Sequence, residues 1–151
     1  WECLSGSKET GDRCVVVGGG LVGIEVADHL ADHGKQVVLI ARSELLKKAV
    51  HADRVYFLNR IKALNIEVMT HTAVLAVGAD SVQILPTGKM PRTLNQIDSI
   101  IFCMGYESRK DEMSELGAVD IPIVYVGDVA GPRKFFEAVG EGTLTAIGGL
   151  N

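Results

Sequence analysis

The residues best suited to chemistry in this sequence are three glycines at the spacing G-x-G-x-x-G: Gly18, Gly20 and Gly23. They follow a short apolar run at 14–17, where a β-strand would turn into a helix. In that setting the first glycine permits a tight turn, the second lets a pyrophosphate approach the backbone, and the third lets helix and strand pack closely. The helix N-terminus would direct unpaired N–H groups and its positive dipole end at the anion. The spacing therefore predicts a dinucleotide-binding loop.

The residues after the glycines supply the elements that such a loop needs. Apolar residues recur at helical spacing from Leu21 to Ala31, Gly34 marks the end of that helix, and a second apolar run covers 37–40. This is the pattern of a complete β-α-β unit. The alternative, a glycine-rich turn in some other α/β protein, accounts for less of this context.

The rest of the first hundred residues predicts an α/β, Rossmann-like domain with three layers, a parallel sheet and an added antiparallel β-hairpin or meander. Pro86, Gly88 and Pro91 break the stretch before its last strand, which should return beside the first strand. The expected elements are an amphipathic helix at 52–64, a third strand at 66–70, a hairpin at 73–77 and 81–85, and a strand at 99–103.

A polar stretch at 107–120 is the candidate boundary to a second module. Beyond it, 121–126 is expected to be a buried strand, and Pro132 is expected at the first position of a helix over 133–150. That helix is rich in glycine, which predicts a closely packed neighbour. The expected division of the chain is therefore 1–110 and 111–151.

Composition narrows the class of protein. The chain has 151 residues, is 47% hydrophobic and carries a net charge of −4, so it can bury a core and offers no general basic surface for nucleic acid. No stretch approaches the ~20 apolar residues that cross a bilayer, so we expect a cytoplasmic protein without membrane contact. The three cysteines and four histidines show no metal-ligand or C-x-x-C spacing, so no metal site is predicted. Because the first residue is Trp1, we expect a piece of a longer protein.

Four motifs occur in a specific order along the chain. They are Val-Val-Val-Gly-Gly-Gly-Leu-Val-Gly-Ile-Glu, Met-Gly-Tyr, Val-Tyr-Val-Gly-Asp-Val-Ala-Gly-Pro-Arg-Lys, and Glu-Ala-Val-Gly-Glu-Gly. Together they resemble the C-terminal, pyridine nucleotide-disulfide oxidoreductase-like region of NADH:flavin oxidoreductases of the old yellow enzyme type. That family includes 2-enoate reductase, 2,4-dienoyl-CoA reductase and trimethylamine dehydrogenase.

The resemblance implies a domain arrangement and a set of cofactors. In the family a flavin-bearing barrel and an iron–sulfur cluster precede an FAD domain into which a nicotinamide-nucleotide domain is inserted. The segment 1–110 would be the inserted domain, and 111–151 the returning end of the FAD domain. This chain would then bind NADP or NAD and share FAD with the remaining FAD and barrel domains of its parent. FMN and the iron–sulfur cluster would belong only to regions outside this chain.

The resemblance also implies roles for individual residues. The three glycines would form the pyrophosphate loop, with backbone N–H groups donated by Leu21 and Val22. Glu25 matches a family glutamate near the nicotinamide, although an ordinary exposed helix glutamate explains it equally well. The remaining implied positions are Gly105 and Tyr106, which would line the nucleotide cleft, and Gly127 and Asp128, of which Asp128 would bond the FAD ribityl chain. The helix beginning near Pro132 would place its positive end by the flavin pyrimidine.

Residues at the end of the second strand bear on the choice of nucleotide. Ala41 stands where NADH-using relatives carry an acidic residue that bonds the ribose 2′-hydroxyl. The next residues, Arg42 and Ser43, could instead offer donors to a 2′-phosphate. The sequence therefore favours NADPH, and the alternative is that Arg42 points into solvent.

These expectations describe an NAD(P)H-binding domain that positions the nicotinamide for hydride transfer to FAD, in a parent of the enoate or dienoyl reductase type. No catalytic acid or nucleophile is expected on this chain, and the isolated chain should be inactive. The alternative is a non-catalytic module that holds a nucleotide such as ADP in a flavoprotein dehydrogenase. A short-chain dehydrogenase is disfavoured, because its Tyr-x-x-x-Lys pattern belongs on a long helix, whereas Tyr106 directly follows a predicted strand and a glycine.

Overall fold

A parallel four-stranded sheet forms the centre of the first of two compact units, Trp1–Gly105 and Tyr106–Asn151. The computed structural model describes residues 8–109, 121 and 123–148. The division of the chain after residue 110 stays a prediction, because 110–120 lie outside the described residues. The elements of the first unit are β1 (Arg13–Val17), α1 (Leu21–Asp32), β2 (Gln36–Ile40), α2 (His51–Ala63), β3 (Glu67–Met69), β4 (Thr72–Val77), β5 (Ser81–Pro86), β6 (Arg92–Asn95) and β7 (Ser99–Phe102).

The sheet has the strand order β3-β2-β1-β7, and every neighbouring pair is parallel. The predicted return of the last strand beside the first is confirmed, since β1 pairs with β7 from Cys14↔Ser99 to Val17↔Phe102. The α/β, Rossmann-like fold class is likewise confirmed. This arrangement brings the carboxyl ends of all four strands to one edge of the sheet, where ligands of open α/β sheets bind.

Both faces of the sheet are buried, which explains why β1 and β2 read as continuous apolar runs. Cys14, Val16 and Leu39 face the helices and pack with Ile24 of α1. Alternate residues face the opposite layer, because side chains of a strand alternate between its faces. That second cluster contains Val15, Val17, Val38, Ile40, Met69, Val82, Ile84 and Ile97.

An antiparallel meander of β4, β5 and β6 forms the layer opposite the helices. The predicted hairpin is β4 and β5, but β6 was not predicted as a strand. Its sequence Arg-Thr-Leu-Asn has only Leu94 half-buried, so it carries almost no apolar pattern. Pro91 precedes the strand instead of interrupting it, a position where proline is tolerated. The stretch that the sequence predicted to be interrupted by Pro86, Gly88 and Pro91 is therefore the connection after β5, followed by β6 as the third strand of a meander.

The two helices of the first unit lie within one or two residues of their predicted bounds. Gly34 follows the C-cap of α1 with φ +80°, and its N–H bonds the Ala31 carbonyl at 3.0 Å. The Arg60 guanidinium on α2 bonds Asp28 at 2.8 Å and Asp32 at 2.8 Å on α1. The hydrogen bond from Arg60 lowers the pKa of the Asp32 carboxyl, and the two carboxylates raise the pKa of Arg60. These bonds hold the two helices side by side on the sheet.

The second unit departs from the predicted elements. Ile121 and the described residues 123–126 form no strand and are mostly exposed, because the described part of this unit contains no strand with which they could pair. A short 3₁₀ turn covers Gly127–Val129, and α3 covers Phe135–Ala146. Pro132 therefore lies before the helix and not at its first position. The extended backbone of Lys134 (ψ 164°) is the N-cap, so the helix can begin only after it.

Among the residues that the structure describes, the glycines of α3 have no close neighbour of the kind that the sequence predicted. A Cβ on Gly140 or Gly142 would meet nothing within 4 Å among the described residues. No residue of α3 is buried, and Phe135, Phe136 and Ile147 are among the most exposed apolar side chains. The helix therefore presents an apolar surface in this structure.

Candidate nucleotide-binding site

The loop from Gly18 to Gly20 crosses the carboxyl ends of three strands. Gly18 has φ +139°, a conformation that side chains rarely adopt, and its N–H bonds the Ile40 carbonyl of β2 at 2.8 Å. A Cβ there would lie 2.1 Å from the carbonyl oxygen of Cys103, the residue after β7. The fold itself therefore requires glycine at position 18.

Gly23 allows α1 to lie against this loop. A Cβ on Gly23 would stand 2.0 Å from the Gly18 carbonyl oxygen, well inside any real contact distance. Gly23 is buried and is the third residue of α1. Close helix-to-strand packing, the role expected of the third glycine, is therefore what the structure shows at this position.

Gly20 differs from the other two glycines. It is the N-cap of α1 with φ −82°, so its backbone needs no glycine, and an added Cβ would meet nothing within 4 Å. The residue is exposed. Nothing in the described protein explains why position 20 lacks a side chain, whereas a ligand lying above the loop would.

The N-terminus of α1 has the features of an anion site. The first N–H that bonds back to the Gly20 carbonyl is that of Ile24, at 3.1 Å, so the N–H groups of Leu21, Val22 and Gly23 precede the helical bonding pattern. No side chain caps the helix, and its first turn contains no acidic residue. The positive end of the helix dipole is therefore not neutralised by the protein. Glu25 lies in the next turn and is exposed.

Position 41 lies directly beside the glycine loop. A Cβ on Gly19 would be 2.7 Å from the Ala41 methyl group, and Ala41 itself is buried. Arg42 and Ser43, the next two residues, are exposed. The structure thus brings together the three glycines, Leu21, Val22 and the segment 41–43 at one edge of the sheet.

Two further residues, which the sequence analysis did not identify, support the glycine loop. The Leu46 N–H bonds the Gly19 carbonyl at 2.8 Å, and Leu46 adopts φ +55° to do so. Leu45 packs within 3.1 Å of where a Gly19 side chain would be. The run of three glycines is a sequence signal for crowding at position 19. No sequence pattern predicts that Leu46 adopts a positive φ.

The other implied site residues lie at or beyond the end of the first unit. Gly105 has φ +100° and is exposed, and Tyr106 is highly exposed at the start of the second unit. In the second unit, Gly127 has φ +65° and donates its N–H to Glu141 Oε2 at 2.8 Å. Asp128 is exposed in the 3₁₀ turn, ahead of α3 rather than at its start.

The described residues offer few other candidate sites. An open apolar cleft of about 530 Å³ lies between α2 and β3, and Leu45, which packs beside Gly19, is one of its lining residues. Among the described residues, 8–109, 121 and 123–148, no three His, Cys, Asp or Glu side chains are grouped to bind a metal ion. No helix in the described part of the chain is long and apolar enough to span a bilayer.

Comparison with known proteins places this site in a family context. The pyridine nucleotide-disulphide oxidoreductase family matches residues 4–142. Bilirubin reductase of Mediterraneibacter gnavus is 28% identical over 148 residues, covering 97% of this chain and 23% of the relative. Cinnamate reductase of Clostridium sporogenes is 30% identical over 125 residues, covering 80% of this chain and 18% of the relative.

A solved structure of a 2-naphthoyl-CoA reductase in complex with 2-naphthoyl-CoA shares the fold. It superposes with a TM-score of 0.80 at 26% identity, over 93% of this chain and 22% of that protein. The chain thus spans about a quarter or less of the proteins it is compared with here. Its match over residues 4–142 shows that the chain belongs to the pyridine nucleotide-disulphide oxidoreductase family.

Proposed function

We propose that the first unit binds a nicotinamide dinucleotide over the glycine loop and holds it for hydride transfer to FAD in a larger flavin-dependent oxidoreductase. The single observation that carries this proposal is the open, exposed position of Gly20 at an uncapped helix N-terminus. The fold needs glycine at 18 and 23, whereas at 20 a group bound above the helix N-terminus would account for it. A pyrophosphate fits, because it is anionic and requires close approach to the backbone.

The chain's own residues would bind and orient the dinucleotide. The N–H groups of Leu21 and Val22 would donate to the pyrophosphate, and the segment 41–43 would contact the adenosine ribose. Glu25 and Gly105 would flank the nicotinamide end. When bound, the nicotinamide supplies the hydride, and the protein supplies binding and orientation. No proton-transfer residue on this chain is assigned.

The second unit would contribute one side of the flavin site. Glu141 accepts the Gly127 N–H and also pairs with Arg133, so the turn carrying Asp128 is fixed against α3. The exposed apolar residues of α3 suit burial against the rest of a flavin domain. We assign Gly127 and Asp128 to FAD contacts made in the parent protein.

The parent is proposed to reduce an activated alkene. This rests on the relatives, one of which is named a cinnamate reductase, and on the motif order along the chain. The competing possibility is a module that holds ADP without hydride transfer. A glycine loop is compatible with both functions, so an activity measurement must distinguish them. Stopped-flow reduction of the parent's FAD by NADH or NADPH would support hydride transfer. Tight ADP binding without flavin reduction would reject hydride transfer.

The nucleotide site itself is tested by Gly20→Val. The valine side chain would occupy the open space above the loop, so we expect no measurable NADH or NADPH binding by calorimetry. Circular dichroism should be unchanged, since the added Cβ meets no protein atom within 4 Å. Gly140→Val, also at an open position, is the matched control and should bind normally. Undiminished binding by Gly20→Val would remove the loop from the site.

A further inference from the structure

We propose that Glu141 is a positioning residue for the flavin, because its carboxylate fixes the backbone of Gly127 and thereby the direction of the neighbouring Asp128. This inference rests on the FAD contacts proposed above for Gly127 and Asp128. It adds a residue of α3 that acts through the backbone of the turn, without itself touching FAD.

The Glu141 carboxylate is held at both of its oxygen atoms. Glu141 lies midway along α3, and its side chain is only 18% exposed. Its Oε2 accepts the Gly127 N–H at 2.8 Å, and its Oε1 pairs with the Arg133 guanidinium. Rotating the carboxylate away from either partner would break a charge-assisted bond. The two contacts therefore hold it in one orientation.

Gly127 is bonded at both its N–H and its carbonyl group. The carbonyl accepts the N–H groups of Ala130 at 3.0 Å and Gly131 at 3.1 Å, which closes the turn. Its φ is +65°, and glycine adopts positive and negative φ about equally readily. The residue type alone therefore does not select this conformation, whereas the bond to Glu141 favours it. The conformation of Gly127 in turn sets the direction in which Asp128 leaves the backbone.

The Asp128 side chain has no partner of its own to direct it. It is exposed, and no hydrogen bond or ion pair joins it to any residue that the structure describes. An ionised carboxylate is an acceptor, so it suits the hydroxyl groups of a ribityl chain. A side chain that is already directed loses less conformational freedom when it binds. Glu141 would therefore favour FAD binding by directing Asp128 beforehand.

The alternative is that Glu141 only stabilises the packing of the turn on α3. In that case its loss would lower FAD affinity by the same factor whether or not the Asp128 carboxylate is present. A positioning residue behaves differently, because its effect on FAD disappears when the group that it positions is removed. A double-mutant cycle of the two residues measures this difference.

The measurement is FAD affinity of the parent protein, stripped of FAD and titrated with FAD while flavin fluorescence is followed. Asp128→Ala should weaken FAD binding by about ten- to a hundredfold, the range for hydrogen bonds to a charged group. Glu141→Ala should weaken it by about three- to tenfold, since it acts only through Asp128. Adding Glu141→Ala to Asp128→Ala should change the affinity by less than about twofold.

Two further substitutions at the same position sharpen the test. Glu141→Gln keeps an acceptor for the Gly127 N–H and loses the charge that faces Arg133, so it should retain most of the FAD affinity. Glu141→Asp keeps the charge but is one methylene shorter, so it should behave as Glu141→Ala does and can replace it in the cycle if that variant does not fold. Thr143→Ala is the matched control, because its hydroxyl bonds the Val139 carbonyl at 2.9 Å within the same helix. It should leave FAD affinity unchanged.

The outcomes distinguish this inference from the proposal on which it rests. Equal losses from Glu141→Ala with and without the Asp128 carboxylate would overturn the positioning role, as would a loss no larger than that of Thr143→Ala. If Asp128→Ala weakens FAD binding and Glu141→Ala does not, the FAD contact of Asp128 stands and this inference fails. If Asp128→Ala binds FAD normally, both fail.

Discussion

Replacing glycine by serine at positions 20 and 23 should separate the needs of the ligand from those of the fold. At Gly20 the new side chain enters open space, and serine is a preferred N-cap whose hydroxyl bonds an N–H of the first turn. Stability should be unchanged or slightly raised, and dinucleotide binding should fall because the hydroxyl takes the place of a phosphate oxygen. At Gly23 the same side chain would start 2.0 Å from the Gly18 carbonyl oxygen.

The cost at Gly23 follows from that distance. Ordinary contacts of a Cβ lie at 3.4–4 Å, so helix and loop must separate by more than an ångström. Such overpacking typically costs about 1–3 kcal/mol. For a unit of this size that is a fall in Tm of roughly 5 to 15 °C. Thermal unfolding followed by circular dichroism measures it. A Gly23→Ser variant as stable as Gly20→Ser would refute the assignment of the two glycines to different roles.

Two further predictions concern the helix pair and the flavin. Because Arg60 lowers the Asp32 pKa, that contribution to stability is present above the ordinary carboxyl value of 3.8 and is lost as pH falls through the lowered value. Arg60→Met should therefore lower Tm by only a few degrees at neutral pH. Lys62→Met, at an exposed residue of the same helix, is the control and should lower it less. The difference in Tm between the two variants should disappear well below pH 3.8, and a difference that does not depend on pH would argue against the ion pair. The purified chain should lack a stoichiometric yellow chromophore, because Gly127 and Asp128 offer FAD one side of a site and too little burial; co-purification of one FAD per chain would contradict this.

The first unit could be predicted closely because local and long-range signals agree. The strands β1 and β2 are continuous β-branched runs, Gly34 ends the first helical segment, and the glycine spacing fixes how strand and helix join. The third strand of the meander could not be predicted in the same way. Its one half-buried side chain, Leu94, gives no alternation, and its pairing with β5 depends on contacts distant in sequence.

The second unit shows the opposite case. Its apolar run at 121–126 has the composition of a buried strand, but a strand forms only with a partner, and the described residues supply none. Pro132 fits a first helical position by propensity, whereas the extended Lys134 places the start of α3 three residues later. Within the site, Gly18 and Gly23 followed from the spacing. Leu46 did not, because a positive φ at a leucine has no signature in the local sequence.

Cys103 lies where the chain approaches the end of the first unit. This residue follows β7, its N–H bonds the Val17 carbonyl at 2.8 Å, and its own carbonyl fills the space beside Gly18. The chain therefore passes directly beside the glycine loop two residues before Gly105, the last residue of the first unit. Because the Cys103 carbonyl already occupies the space beside Gly18, a displacement of Cys103 towards Gly18 would have to move the loop as well. A nucleotide bound over the loop, as proposed above, would therefore be coupled to the position of this segment, and each would bias the other by the same free energy.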